Sequence, residues 1–550
     1  MGKLNILIDG TQIAVEKGKN IHDFIIENNI NKNQGILLVK INKKYYELTS
    51  SIEESGTMEI VGLSDGAGLR TYVRTLQFIL IKAVYDLFPS AKVTIEHSLS
   101  KAVFGEIYKD TPLNQEDIQS IKKRMKVIIE SDIKINKATM KKDDALKIFE
   151  DYGMQDKIDV LNSLEANQVH LYEMEGRFDY FYGYLAYSTG IVHLFDIMLH
   201  DSGFVLRYPV EPGFNKFPDF IENNKLNKIF RETEQWAKIL DVGHVGSLNN
   251  KVQQGGIGDI VKISEALHEK KIANIADMIS DREKVKLVLI AGPSSSGKTT
   301  FCKRLGIQLR VNGLMPVPIS LDDYFVNRDD TPKDEYGNFD FEALEAVDLK
   351  LFNENLDALL NGEAVMVPDF DFREGKRHWK GKTMKLPENG VILVEGIHGL
   401  NDRLTSKVKA ENKFKIYISA LTHLNIDDHN RIATTDVRIM RRIVRDNLFR
   451  GCEGERTLEM WPSIRRGEER NIFVYQENAD VMFNSTLVYE LCVLKRHVLN
   501  LLSKIAPESD VYSEAYRLKS YLNFVREVPE MLVPDNSILR EFIGGSSFYK

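Results

Sequence analysis

Cysteine, long apolar runs and net charge are all scarce in this chain of 550 residues. Its three cysteines, Cys302, Cys452 and Cys492, lie far apart with no paired spacing, which excludes a disulfide framework and an ordinary cysteine zinc site and fits a reducing compartment. No segment approaches about eighteen uninterrupted apolar residues, and the N-terminal MGKLNILIDG lacks a long apolar signal region. A soluble, cytoplasmic chain with no membrane partner is the expectation. With 73 basic residues against 80 acidic ones the net charge is -7, so no global polycation exists to hold nucleic acid by counterion release. The composition therefore argues against a nucleic-acid partner and leaves assembly into a homo-oligomer open. The length exceeds what one hydrophobic core can serve, so about three or four domains are expected.

Against these absences stands Gly292-Pro293-Ser294-Ser295-Ser296-Gly297-Lys298-Thr299-Thr300. Two glycines bounding four residues let the backbone curl with successive N–H groups turned toward phosphate oxygens, while Lys298 adds a mobile cation and Thr299 a hydroxyl for Mg²⁺. The mostly apolar run 285–291 reads as a buried strand and 299–309 has helical apolar spacing, so phosphates would meet a helix N-terminus. ATP and Mg²⁺ are the implied cofactors. Residues 317–321 form a short apolar strand ending in Asp322-Asp323-Tyr324, which puts carboxylates where α/β sheets bind ligands. Asp322 is the candidate base or orienting acceptor for a hydroxyl, with Asp323 behind it or near the metal. Residues 391–394 run apolar into Glu395, the candidate metal-side acid beside Thr299. A helix expected over 428–448 carries Arg431, Arg438, Arg441, Arg442 and Arg445, the last four spaced three and four apart along one face. Such a face either neutralises charge on a transferred phosphoryl group, with Arg441, Arg442 and Arg445 in that role beside Lys298, or stays solvated and paired with Asp436 and Asp446.

Upstream, Leu4, Ile6 and Ile8 alternate into Asp9-Gly10, a hairpin signal, followed by a short helix near 21–28 and a strand over 36–41. This resembles the small ubiquitin-like TGS module of threonyl-tRNA synthetases. The stretch RTLQFILIKAVYDLFPSAKVTIEHSLSKAVFGEIYKD, with LNQEDIQSIKKRM and FDYFYGYLAYSTG, resembles the second N-terminal domain of the same synthetases. In that family the domain edits mischarged tRNA with two histidines and a Cys-x-x-x-His pair. The matching places here hold Arg74, Phe78, Phe181 and Leu185, so the resemblance implies a scaffold kept after its site was lost, a docking or dimerisation module, with tRNA binding as the functional alternative. His97, alone, reads as structural. Residues 210–282 read as a helical connector whose glycine-rich 243–258 is expected to be a flexible loop.

The order GPSSSGKT, SLDDYF, NFDFEALEAVD, PDFDFREGKR, VILVEGIHGLND and RIMRRIVRD resembles the uridine kinase and phosphoribulokinase family over residues 285–500. The resemblance implies Asp322 as general base, Asp340 at the ribose, and a base pocket built from the block 368–372. Phe370 stands where the family has tyrosine and Gly375 where it has a histidine, while Arg377 keeps the following arginine. The candidate substrate residues are thus Asp322, Tyr324, Asp340, Phe370, Phe372, Arg377 and Arg438. Losing polar base-edge partners should relax discrimination among bases. His378 and Trp379 could supply replacement contacts.

The expected architecture is α/β: a C-terminal P-loop kinase (283–550) with a parallel sheet of about five strands and a helical lid, behind a β-grasp domain (1–65), an α+β synthetase-like domain (66–209) and the connector (210–282). The expected reaction is ATP-dependent phosphorylation of a uridine- or cytidine-like nucleoside at its 5′-hydroxyl. The competing readings are a kinase for another small hydroxyl compound such as a sugar phosphate, and an RNA-binding regulator with an ATP switch.

Overall fold

The computed structural model describes residues 2–30, 35–210, 216–422 and 424–548. Its first sheet runs Thr11–Glu16, Lys3–Ile8, Gly56–Val61, Leu38–Ile41, Lys44–Glu47. Asp9 and Gly10 both take positive φ, the condition for a two-residue turn whose twist matches its strands. The helix Ile21–Glu27, capped by Asn20, buries Ile21, Phe24 and Ile25 against Ile6, Val39 and Met58.

The second unit hangs on the 22-residue helix Gly66–Leu87, capped at its start by the Asp65 carboxylate. Gly68 is required there, because a Cβ would overlap the Gly62 carbonyl. The helix lies on a four-stranded antiparallel sheet, Asp196–His200, Gly203–Arg207, Ala102–Tyr108, Lys92–Leu99, together with the helix Gln115–Glu130. A smaller three-stranded sheet carries Gln168–Met174 at its centre.

In the C-terminal half all five strands are parallel, in the order Met315–Ser320, Gly390–Glu395, Leu287–Ala291, Lys413–Ser419, Val481–Asn484. Leu287–Ala291 is central and wholly buried, as expected of a continuous apolar strand covered on both faces. One face is covered by Lys298–Val311, and on that helix lies Ile257–Ser280, tied to it by Arg304 reaching Glu265 (3.3 Å) and Glu269 (2.7 Å). The other face receives Phe352, Leu356 and Leu359 of Leu349–Leu360.

Two expectations are corrected. The glycine-rich stretch 243–258 is not a flexible loop. It contains the helix Val245–Gln253, whose capping box pairs the His244 ring with Ser247, and a three-residue turn carries it into Ile257–Ser280. The arginine helix spans Thr434–Arg450 rather than beginning at 428, which leaves Arg431 outside it, bonded to Ser98 of the second unit. Residues 425–430 instead form the joint between halves. Lys157 there meets Asp179 (2.8 Å) and Asp427 (3.1 Å), and the His429 ring meets Asp179 at 2.7 Å, all but free of solvent. Burial alone would raise the Asp179 pKa, but the Lys157 ammonium and the His429 ring outweigh it and hold the carboxyl below its usual range. His97 stacks on Phe230 with ring centroids 3.6 Å apart.

Removing one member of this buried cluster strands the opposite charges. Lys157→Met should cost about 3–5 kcal/mol, seen as a lowered urea midpoint. The exposed Lys350–Glu354 pair, at 4.0 Å, should change the midpoint by under about 0.5 kcal/mol when Lys350 is replaced by alanine.

Candidate active site

The loop between Leu287–Ala291 and Lys298–Val311 is shaped by its glycines. A Cβ on Gly292 would overlap the Ile418 carbonyl, and Gly297 has φ +85. Ser295 also takes a positive φ of 58. Among the described residues the hydroxyls of Ser295 and Ser296 are buried without a partner, and Lys298 Nζ donates only to the Pro293 carbonyl at 3.2 Å. With the N-terminal amides of the following helix, these groups could hold phosphate oxygens.

Beside the loop, Glu395 ends its strand and accepts from Thr299 Oγ1 and Ser320 Oγ, each at 3.2 Å. Three hard oxygens from three elements fit a Mg²⁺ ion, which takes carboxylate and hydroxyl ligands and keeps several waters. Burial first, then the Asp322 carboxylate, lifts the Glu395 pKa to about 7, against the pull of Lys298. Asp322 itself lies in the turn Leu321–Tyr324 at the strand's edge, and among the described residues its carboxylate makes no hydrogen bond or ion pair. Behind it, burial pushes Asp323 up to about 6.

Of the substrate candidates, Phe370 and Phe372 come together, 5.3 Å between centroids, with Phe325 edge-on at 5.8 Å from Phe370. Arg377 is half-buried and paired with Asp348 at 2.9 Å. Asp340 caps the Glu342 amide at 3.1 Å. Tyr324 is a correction: its ring packs edge-on to Phe352 in the core, and its hydroxyl accepts from Asn355, so it does not face an acceptor. His378 pairs with Glu374 at 3.0 Å.

The arginine helix also departs from expectation. Arg438, expected at the substrate, and Arg441, expected at the transferred phosphoryl group, are instead both fully buried struts beneath the loop. Arg438 donates to the Ser294 carbonyl (3.1 Å) and pairs with Glu468, which also accepts from the Ser294 amide at 3.1 Å. Arg441 reaches the Ser295 carbonyl (3.4 Å), Ser485 and Glu490. Arg442 touches Ser294 Oγ at 2.5 Å, and Arg442, Arg445 and Arg450 share the one carboxylate of Asp446 at 3.1, 2.7 and 3.8 Å. Like charge from Arg445, then burial, lowers Arg450 to about 10, and its guanidinium lies 4.4 Å over the Phe372 ring.

Sequence reasoning missed three carboxylates. Glu468 gave no signal, being one acid in a mixed-charge helix. Glu342 lies in the NFDFEALEAVD block but carried no assigned role; its Oε2 is buried without a partner, and burial followed by Glu468 raises its pKa to about 7. Glu541, in the turn Arg540–Ile543 near the C-terminus, accepts from the Thr300 amide at 2.9 Å, and Ile538 lies against Gly297. The tail thus puts a carboxylate at an amide of the phosphate cradle. In the second unit, the Phe78 and Phe181 rings meet at a tilt with centroids 5.0 Å apart and Leu185 is buried, so three of the four aligned positions hold packed apolar side chains, while Arg74 donates to the Tyr184 carbonyl.

Residues 287–490 match the Phosphoribulokinase / Uridine kinase family. A uridine kinase of Halobacterium salinarum is 28% identical over 195 residues, 35% of this chain and 77% of that protein. The N-terminal region is similar to threonine–tRNA ligases, among them that of Wolbachia pipientis, 30% identical over 160 residues, 29% of this chain and 25% of the ligase. The chain therefore spans about a quarter of the length of the curated threonine–tRNA ligases it matches. A solved D-glycerate 3-kinase of Cryptococcus neoformans is 16% identical, covering 46% of this chain and 87% of that one with a TM-score of 0.22.

A triphosphate held by this loop would compete with Glu541 for the Thr300 amide. A hydrogen bond to a charged group contributes about 1.5–3 kcal/mol, partly recovered from water on release. Glu541→Ala should therefore tighten binding of an ATP analogue by about tenfold in a calorimetric titration, as 1.4 kcal/mol corresponds to one decade. Glu342 supplies a pH test. Its folded pKa of about 7 lies above the 4.5 of an unperturbed glutamate. The native state therefore binds the proton more tightly, and stability falls as pH rises from 4.5 to 7. Glu342→Gln should raise the thermal midpoint at pH 8, with the gap closing toward pH 5.

Proposed function

We propose that this chain, in which a segment of the phosphoribulokinase / uridine kinase family follows a threonine–tRNA-ligase-like region, transfers the γ-phosphoryl group of ATP to the 5′-hydroxyl of a nucleoside. The observation that carries this reading is the convergence of the segments bearing Lys298, Glu395 and Asp322 at the carboxyl ends of three adjacent parallel strands, where both Asp322 and Lys298 act on the Glu395 carboxyl. In this reading the acceptor hydroxyl lies between Asp322 and the loop, with its flat base against Phe370 and Phe372. Its oxygen attacks the γ-phosphorus in line, the bond to the β–γ bridging oxygen breaks, ADP departs, and the proton passes to Asp322. Lys298 and the loop amides orient the β- and γ-phosphates, and Arg442, Arg445 and Arg450 offset negative charge as it spreads over the transferred group. Mg²⁺, held by Thr299 and Glu395 with Ser320 alongside, neutralises the phosphate oxygens when bound.

One observation favours a second acceptor class. Three guanidinium groups share a single carboxylate beside Phe372, and Arg328 fills the place opposite Gly375, where a Cβ would lie 2.7 Å from its Nε. A cationic wall of this kind suits an anionic acceptor such as a sugar phosphate as well as it suits the transferred group.

Purified protein with MgATP, screened by ADP release against nucleosides and sugar phosphates, separates the two readings. Lys298→Ala and Asp322→Asn should each lower kcat/KM by at least about a hundredfold, within the range for general-base and phosphate-positioning groups, with the folded state retained by circular dichroism. Full turnover by Asp322→Asn removes the base assignment.

A further inference from the structure

Where the β-grasp sheet, the long helix Gly66–Leu87 and the C-terminal helix Tyr512–Leu522 meet, they enclose a cavity of about 530 Å³. That volume is in the range of pockets that hold small organic ligands, about 300–1,000 Å³. Its walls combine flat aromatic faces with cations. Tyr45, Tyr184 and Tyr516 stand around it, and Lys44, Arg70, Arg74 and Arg517 line it against only Asp510 and Glu514.

The two carboxylates are already engaged. Glu514 is held by Arg517 at 2.6 Å and by Arg70 at 3.4 Å, and Asp510 by Lys43 at 2.8 Å. Arg74 differs from the other arginines here. It is half-buried, donates to the Tyr184 carbonyl at 2.7 Å, and has no carboxylate within ion-pair distance among the described residues. Burial depresses its pKa, and no acidic side chain is among the charges that restore it. A desolvated guanidinium with donors to spare, beside tyrosine rings, is the arrangement that recognises an anionic group carried on a planar ring.

We propose that this cavity is a binding site for a nucleoside phosphate, with the phosphate at Arg74 and Lys44 and the base on the tyrosine faces, separate from the phosphate loop. The site also has a physical route to that loop. Arg517, on its wall, makes a two-pronged pair with Asp436 at 2.8 and 2.6 Å. Asp436 lies in the first turn of the arginine helix, just ahead of Arg438, Arg441 and Arg442, which hold the carbonyls and hydroxyl of Ser294 and Ser295. An occupant that draws on Arg517 therefore bears on the struts of the phosphate loop.

The test uses the full chain with UMP and AMP as probes, titrated calorimetrically into wild type, Arg74→Met, Tyr516→Ala and Lys298→Ala. Tyr516 is 57% exposed, so its truncation leaves the packing intact if Arg74→Met does not fold. The expected result is a binding event weakened tenfold or more by Arg74→Met and by Tyr516→Ala but retained in Lys298→Ala, with density for the mononucleotide against Arg74 in soaked crystals. Binding that survives both cavity variants and disappears with Lys298→Ala overturns the proposal while leaving the kinase reading standing. Arg74-dependent binding of tRNA without binding of either mononucleotide also overturns it. Loss of turnover in Lys298→Ala with the cavity event intact bears on the kinase reading alone.

Discussion

A loop that turns successive amides inward has little of its own to hold it in that shape, and here the hold comes from below. Glu468 accepts from the Ser294 amide and pairs with Arg438, which in turn donates to the Ser294 carbonyl. Arg441, paired with Glu490, donates to the Ser295 carbonyl one residue on. Buried ion pairs of this kind seldom add net stability, because desolvation offsets most of the Coulomb attraction; their contribution is geometric. With the outward carbonyls pinned, the inward amides face the phosphates before any ligand arrives, so little reorganisation is left for binding. The rest of the site is arranged around that fixed edge: Glu395 and Ser320 on neighbouring strands, and Asp322 one turn beyond.

Sequence and structure agree most closely where one local pattern suffices to specify an element. The apolar run into Gly292, the helix after Gly297 and the Asp9-Gly10 turn each follow from backbone requirements that few residues satisfy. Tyr324 illustrates the opposite case. Its position after Asp322 suggests an acceptor contact, yet a 3₁₀ turn rotates the ring into the core beside Phe352, and spacing of one residue cannot convey that rotation. The stretch 243–258 misled for a related reason. Its glycines suggest a loop, whereas the His244–Ser247 cap starts a helix there, and a histidine cap is a weak sequence signal beside Ser, Thr, Asp or Asn. Glu541 was illegible because its partner, the Thr300 amide, lies 241 residues away and is a backbone group with no sequence signature.

The synthetase-like half is held by packing and by one shared carboxylate. Phe78, Phe181 and Leu185 fill the interior, and Glu47 of the first sheet accepts from the Leu185 amide and the Tyr172 hydroxyl. The same half is joined rigidly to the C-terminal half. Asn430 donates to the Tyr180 carbonyl and accepts from the Tyr182 amide, next to the Lys157–Asp427 pair, and Tyr182 reaches the Arg517 carbonyl. A joint built on buried, mutually satisfied polar groups admits one geometry, since each alternative leaves a charge unpaired in a dry interior.

The arginine helix sorts its cations by compensation, and this sorting carries chemical meaning. Arg438 and Arg441 are paired with Glu468, which Arg465 also meets at 3.3 Å, and with Glu490, and both are sealed from solvent, so they carry no charge that an arriving anion can use. Arg442, Arg445 and Arg450 divide a single Asp446 among them, and their mutual repulsion is large enough to draw Arg450 down to about 10. Helical spacing alone makes the two groups equivalent, because residues three and four apart share a face regardless of what that face meets. The surrounding acids distinguish them. A surplus of guanidinium charge held beside Phe372 and within reach of Asp322 is unfavourable in the empty protein and is relieved when negative charge enters. In the proposed phosphoryl transfer, that surplus would meet the negative charge as it shifts toward the β–γ bridging oxygen and spreads over the transferred group.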